Sequence, residues 1–322
     1  MKTKATTALI ICLILSVFSC TETEEALPIN EMMNHCMPEN VNVSFEDTWT
    51  ENGIEISEKF TYNNQIIYEG DAIKNLTQAI ITEAGDTLKP DKPIKLTIND
   101  EQQIIETVNM FQKEVFTYDE EGRISQIVTY FDYSNYRYKP IMRVLPMSID
   151  RRSEFTLESK TKYSYQGEST SPISANIEYS NNTSEHLKFF YQNDLLESIE
   201  IKSSSDQIKF LEFKYDNSSF VGPHLPFALI RALPNWSYPV LPQSLVPSIN
   251  KNITELNIYT SNSNGSKGYK VNQIKWGHEY NENNLTIKTQ LLALLEFGES
   301  GEQIDDELEG VKLSVNYEYQ CR

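Results

Sequence analysis

The sequence predicts an all-β protein: an antiparallel meander of hairpin repeats that forms a curled or folded sheet, with proline-rich loop insertions. Two observations lead to this prediction. Apolar and polar residues alternate with a period of two along much of the chain, which gives each strand one apolar and one polar face. Strands rich in Phe and Tyr are also followed repeatedly by Asn, Asp and Gly, the residues that tight turns favour.

The composition limits the possible partners. The 322 residues are 39% hydrophobic and 11% aromatic, which is enough to form a buried core. Lys and Arg number 28 against 46 Asp and Glu, giving a formal net charge of −18 at pH 7. Because phosphate recognition requires an excess of cations, we expect no nucleic-acid partner.

The N-terminus has the layout of an export signal. Two lysines precede an apolar run over residues 8–18, which is too short to remain in a bilayer as a spanning helix. The run ends in Val17-Phe18-Ser19-Cys20, which resembles the lipobox of bacterial lipoproteins. The resemblance implies cleavage of residues 1–19, acylation of Cys20 and membrane attachment through lipid. An ordinary secretory signal with an incidental cysteine is the alternative.

Residues 20–40 are interpreted as a lipidated acidic tether, and residues 41–322 as a single β-repeat domain. The acidic residues over 21–25 resemble the signal that sends Bacteroidota lipoproteins to the outer face of the outer membrane. We therefore expect a lipid-anchored outer-membrane protein that faces the cell exterior. Glu is also common in solvated tethers, which is the other explanation of these residues.

Strand and turn signals follow one another along the domain. Leu187, Phe189 and Tyr191 alternate with Lys188, Phe190 and Gln192, and Asn193-Asp194 is a turn dipeptide before the next strand. The C-terminal run over residues 311–321 alternates in the same way. The phrase of an aromatic strand and an Asx-type turn recurs at residues 60–67, 116–124, 213–217 and 279–285.

One of these phrases carries a resemblance. Tyr118-Asp119, followed by Gly122-Arg123, resembles the tyrosine-aspartate repeat of large bacterial surface and toxin-encapsulating proteins. Together with the lipobox and the acidic tether, the aromatic hairpins are similar to a broad group of Bacteroidota surface lipoproteins that mostly lack an assigned activity. The resemblance implies a repeat-built ectodomain on the outer membrane. The tripeptide Asp86-Thr87-Leu88 also resembles the acceptor for O-linked glycans in Bacteroidota exports, which makes Thr87 a candidate glycosylation site.

A proline-rich insertion interrupts the strands at about residues 222–247. Its six prolines are incompatible with a central strand, so we predict a loop. One interpretation is a lid that packs its apolar side chains on the sheet. The other is a ligand-contacting loop, with candidate contact residues Phe227, Arg231, Trp236 and Tyr238.

Four cysteines are present. Cys12 lies in the signal and Cys20 is the lipid attachment site, which leaves Cys36 and Cys321 in a compartment that permits disulfides. They form either one disulfide or two free structural thiols.

No motif in the sequence nominates an enzyme. The histidines lack zinc-ligand spacing, and there is no nucleophile elbow or phosphate-binding glycine loop. His278 is interpreted as a solvated surface residue, and we expect neither a metal nor a cofactor. The preferred hypothesis is non-catalytic binding of a glycan, peptide or protein ligand. The alternatives are a structural or assembly accessory of the envelope and a hydrolase with no visible motif.

Overall fold

We describe the protein from a computed structural model. The described residues are 36–51, 54–69, 72–82, 87–88, 94–108, 112–132, 155–219, 251–306 and 311–321. The predicted signal peptide, Cys20, most of the tether and the whole proline-rich insertion, with Phe227, Arg231, Trp236 and Tyr238, lie outside them. The described residues contain no helix whose length and hydropathy would allow it to cross a membrane.

The described residues form 18 strands. Their bounds are β1 Cys36–Glu51, β2 Ile54–Glu69, β3 Ala72–Thr82, β4 Thr87–Leu88, β5 Lys95–Ile98, β6 Ile104–Val108, β7 Gln112–Tyr118, β8 Ile124–Phe131, β9 Thr156–Tyr165, β10 Pro172–Tyr179, β11 Ser184–Gln192, β12 Leu195–Ser203, β13 Ile208–Ser219, β14 Lys251–Ser261, β15 Lys267–Tyr280, β16 Thr286–Phe297, β17 Gln303–Asp306 and β18 Val311–Cys321.

Strand pairing follows chain order. Consecutive strands pair antiparallel from β1 to β4 and from β5 to β16, and both β17 and β18 pair with β16. The first strand also pairs with the last, so β1 lies between β2 and β18. The predicted all-β fold, a single antiparallel meander of hairpins, is confirmed.

The chain divides into two units. One comprises residues 1–37 and 321–322, and within it a disulfide joins Cys36 to Cys321 across a separation of 285 residues. The other, residues 38–320, contains nearly all of the sheet. The first strand begins at Cys36, inside the range that the sequence assigned to the tether. Within this part of β1, the Pro38 carbonyl accepts a hydrogen bond from the Tyr68 hydroxyl on β2 at 2.8 Å.

One face of the sheet carries the core. On β11, Leu187 and Phe189 are buried, whereas the residue that follows each of them, Lys188 and Phe190, is exposed. On β18, Leu313, Val315 and Tyr317 are buried in the same alternating way. Side chains of this apolar face form one hydrophobic cluster. We call the opposite face of the sheet the polar face.

Seven hairpins among the described residues share one five-residue turn. The main-chain N–H of the first turn residue donates to the carbonyl of the fifth, and the N–H of the fourth donates to the carbonyl of the first. The fourth residue has a left-handed φ between 59° and 85°, a region that Gly, Asn and Asp enter most easily. This requirement explains why Gly, Asn or Asp occupies the fourth position in six of the seven turns, and Gln102 occupies it in the remaining one. These turns span residues 99–103, 119–123, 179–183, 203–207, 262–266, 281–285 and 298–302.

Tyrosines near the ends of alternate strands form a second repeated contact, which we call the tyrosine row. Each hydroxyl donates to a main-chain carbonyl near the start of a neighbouring strand. The period-two pattern of the sequence does not by itself predict these hydrogen bonds. The bonds are Tyr68 to Pro38 (2.8 Å), Tyr118 to Ile104 (2.8 Å), Tyr165 to Ile124 (2.7 Å), Tyr191 to Pro172 (3.0 Å), Tyr215 to Leu196 (2.7 Å) and Tyr319 to Thr286 (2.6 Å). Burial raises the pKa of Tyr118 to about 12, as expected for a phenol kept neutral in such a bond.

Replacing Tyr215 by Phe tests the tyrosine row. The change retains the ring but removes the 2.7 Å bond to the Leu196 carbonyl, so we expect a loss of about 1 kcal/mol in the free energy of unfolding. The more exposed Tyr269 provides a matched control, and Tyr269→Phe should change stability by less than about 0.5 kcal/mol. Urea unfolding of both variants gives the comparison. Equal stabilities for the two variants would refute a stabilising role for the row.

Candidate functional site

A groove of about 590 Å³ lies on strands β12–β15. Its lining is mainly polar and includes Glu212, Lys214, Glu255, Asn257, Tyr259 and Gln273. We call it the polar groove.

The register of the sheet places these side chains side by side. Asn257 on β14 lies opposite Glu212 on β13 and Gln273 on β15. Their chain neighbours Leu256 and Ile274 are buried in the core. Since successive side chains of a strand point to opposite faces, burial of the apolar residues fixes the polar ones on the groove.

A chain of side-chain hydrogen bonds crosses the groove. Gln273 Nε2 donates to Asn257 Oδ1 at 2.8 Å, and Asn257 Nδ2 donates to Glu255 Oε1 at 2.7 Å. Lys214 Nζ also lies 2.7 Å from Glu255 Oε1. Asn257 and Gln273 are only 4% and 8% exposed, although they lie on the polar face. The network therefore holds both amides in fixed orientations.

The Glu255 carboxylate anchors this network. Burial opposes ionisation of Glu255, but the hydrogen bonds from Lys214 and Asn257 outweigh it, so the pKa of this carboxyl lies below its ordinary value. Glu255 is thus an acceptor at neutral pH, which sets Asn257 Nδ2 as the donor to it. With that direction fixed, the groove offers amide, carboxylate and ammonium groups of defined polarity to a ligand.

A tyrosine and an ion pair lie at one end of the groove. The Lys267 ammonium contacts the Glu212 carboxylate and lies 4.7 Å from the centroid of the Tyr259 ring. Burial, together with the nearby Glu212 carboxylate, raises the pKa of Tyr259 to about 12. The phenol is therefore neutral at neutral pH.

A second polar cluster surrounds His278 on β15. Its Nε2 lies 2.8 Å from the Ile253 carbonyl and its Nδ1 lies 3.1 Å from Thr289 Oγ1. Burial lowers the pKa of His278, so the neutral ring with the proton on Nε2 satisfies both contacts. The interpretation of His278 as a solvated surface residue is wrong. Both ring nitrogens are engaged by the protein itself, which favours a structural role over general-base chemistry.

Close to His278, one tyrosine departs from the tyrosine row. The Tyr280 hydroxyl contacts the Asp216 carboxylate instead of a carbonyl, and Asn252 Nδ2 lies 3.3 Å from the same hydroxyl. Asn252 Nδ2 also donates to Thr286 Oγ1 at 2.9 Å. These polar groups therefore join β13, β14, β15 and β16.

Of the predicted site residues, the described structure brings together Cys36 and Cys321, which the disulfide joins. Thr87 belongs to β4, opposite Ile81, while the four candidate residues of the proline-rich loop lie outside the described residues. No group of three or more His, Cys, Asp and Glu side chains in the described ranges lies close enough to hold a metal ion. The polar groove was missed because its residues have the same alternating pattern as an ordinary solvated strand face.

Comparisons with known proteins identify no family. No protein-family model matches the chain, and no curated protein matches it. Among solved structures, it is similar to a porin-like protein from Bacteroides uniformis ATCC 8492. The two chains are 9% identical, with a TM-score of 0.47 over 87% of this chain and 96% of the other. At this level, the likeness identifies neither a family nor a function.

Proposed function

We propose that the protein is a non-catalytic, lipid-anchored binding protein of the bacterial outer membrane that holds a glycan in the polar groove. The observation that carries this proposal is the hydrogen-bonded series Gln273, Asn257 and Glu255 across a groove of about 590 Å³. Sugar hydroxyls both donate and accept hydrogen bonds, so they match a surface of fixed amides and carboxylates. Preorganised groups also lose little conformational entropy on binding.

The groove suits a glycan better than a protein or peptide ligand. Cores of protein interfaces are depleted of charged residues, whereas Glu212, Lys214 and Glu255 all line this groove. Extended peptides commonly bind by adding to a free strand edge. The strands under the groove, β12–β15, are each paired on both sides. The Tyr259 ring adds the stacking surface that saccharide rings favour.

The placement on the outer membrane rests on the sequence. The lipobox ending at Cys20 and the acidic residues over 21–25 are the features that support a lipid anchor and exposure to the cell exterior. The full sequence has a formal net charge of −18, and this excess of acidic residues favours neutral or cationic glycans over anionic ones.

Replacing Asn257 by Ala tests the proposal. The change breaks the network at its centre and removes two hydrogen-bonding groups, so we expect the affinity for the bound glycan to fall about tenfold or more. The full chain is first screened against a panel of neutral and amino-sugar oligosaccharides, and the best binder is then titrated by calorimetry.

Asn283→Ala is the matched control, because Asn283 is an exposed turn residue away from the groove. The Asn283→Ala variant should bind the same glycan with the affinity of the unaltered chain. Thermal unfolding of both variants verifies that the sheet remains folded. Failure of every oligosaccharide to bind, or equal affinities for the Asn257 and Asn283 variants, would contradict the proposed function.

A further inference from the structure

We propose that the polar groove ends in a subsite for a primary ammonium group of the ligand, formed by the Glu212 carboxylate and the Tyr259 ring and occupied by Lys267 in the free protein. This inference rests on the proposed function and specifies its ligand class: a glycan that carries an amino sugar with a free amine.

The geometry already shows that this end of the groove accepts an ammonium group. The Lys267 Nζ contacts the Glu212 carboxylate and lies over the Tyr259 ring, 4.7 Å from its centroid. Glu212 and Tyr259 both line the polar groove, and the same ammonium contacts both of them. An anion beside an aromatic face is the arrangement that binds organic cations.

The position of Lys267 suits a replaceable occupant. It is the first residue of β15, directly after the turn over residues 262–266, and its side chain is 45% exposed. Its ammonium reaches Glu212 on β13 across the intervening strand β14. A flexible lysine stem can rotate into solvent without disturbing the sheet, because an exposed ion pair contributes little to stability.

The charges of the groove favour an amine as the replacement. Removal of the Lys267 ammonium leaves the Glu212 carboxylate beside Tyr259 without this cation, and a ligand ammonium restores the pair. Acetylation converts the amine into a neutral amide, so an N-acetylated sugar cannot supply the positive charge. Lys214 contacts Glu255 at 2.7 Å at the central network, so its charge is already engaged there.

The test compares two oligosaccharides that differ only at the nitrogen. A glucosamine tetramer and an N-acetylglucosamine tetramer are titrated by calorimetry into the full chain, Lys267→Met, Glu212→Gln and the control Lys202→Met. Lys202 pairs with Asp206 at an exposed site away from the groove. We expect Lys267→Met to bind the free-amine tetramer about fivefold more tightly and the acetylated tetramer with little change.

Glu212→Gln should abolish the preference for the free amine, and Lys202→Met should behave as the unaltered chain. Equal affinities for the two tetramers in every variant would overturn the ammonium subsite. If the two tetramers bind equally and Asn257→Ala removes their binding, the proposed glycan-binding function stands without the ammonium subsite. Binding of another oligosaccharide by a chain that binds neither tetramer would also overturn the subsite. Failure of every oligosaccharide to bind would instead overturn the proposed function.

Discussion

Replacing Cys36 and Cys321 together by Ser is expected to lower the free energy of unfolding by about 5 kcal/mol. The disulfide joins two cysteines that are 285 residues apart in the sequence. Its removal therefore frees nearly the whole unfolded chain from the constraint of a closed loop. In the chain-entropy description, the stabilisation grows with the logarithm of the closed loop, and this loop is very long. Urea unfolding of the oxidised chain and the double variant measures the difference.

The two single variants provide the controls for the disulfide. Because either substitution breaks the same bond, Cys36→Ser and Cys321→Ser should each lose about as much stability as the double variant. Reduction of the unaltered chain with dithiothreitol should reproduce the effect. If the double variant loses less than about 1 kcal/mol in the free energy of unfolding, the disulfide constrains the unfolded chain far less than the length of the closed loop implies.

Replacing Leu256 by Ala is expected to cost about 2–5 kcal/mol. Leu256 on β14 is fully buried, at 0% exposure, and belongs to the hydrophobic cluster. The substitution removes buried methyl groups and leaves a cavity that the surrounding strands fill only in part. Guanidinium unfolding at constant pH provides the measurement.

Leu292→Ala is the matched control for the core. The same side chain is 53% exposed on β16, so its truncation should cost less than about 0.5 kcal/mol. The pair of leucines tests whether one face of the sheet is buried and the other is not. Similar losses at both positions would contradict a one-sided core.

The sequence predicted the architecture where structure is local. The alternation of Leu187 and Phe189 with exposed neighbours predicts the faces of β11, because the side-chain period of a strand is two. The turn at Asn193-Asp194 was also predicted, and both residues have a positive φ. In each case, two to eight adjacent residues contain the whole signal.

The remaining features depend on distant residues. Pro38 and the polar side chains of residues 36–40 predict a tether, yet these residues belong to β1, where the Pro38 carbonyl accepts a hydrogen bond from Tyr68 on another strand. Asn257 and Gln273 have the spacing of solvated residues, and their burial arises only when three strands align. The environment of His278 also depends on neighbouring strands, since its hydrogen-bond partners Ile253 and Thr289 lie on β14 and β16.

A crystal structure of the full chain with its best-binding oligosaccharide tests the central claim most directly. We expect saccharide density in the polar groove, with sugar hydroxyls within hydrogen-bonding distance of Asn257 and Gln273 and a ring or amine against Tyr259. Density for the oligosaccharide at any other surface, with the side chains of the groove unchanged, would contradict the assignment of this groove as the binding site.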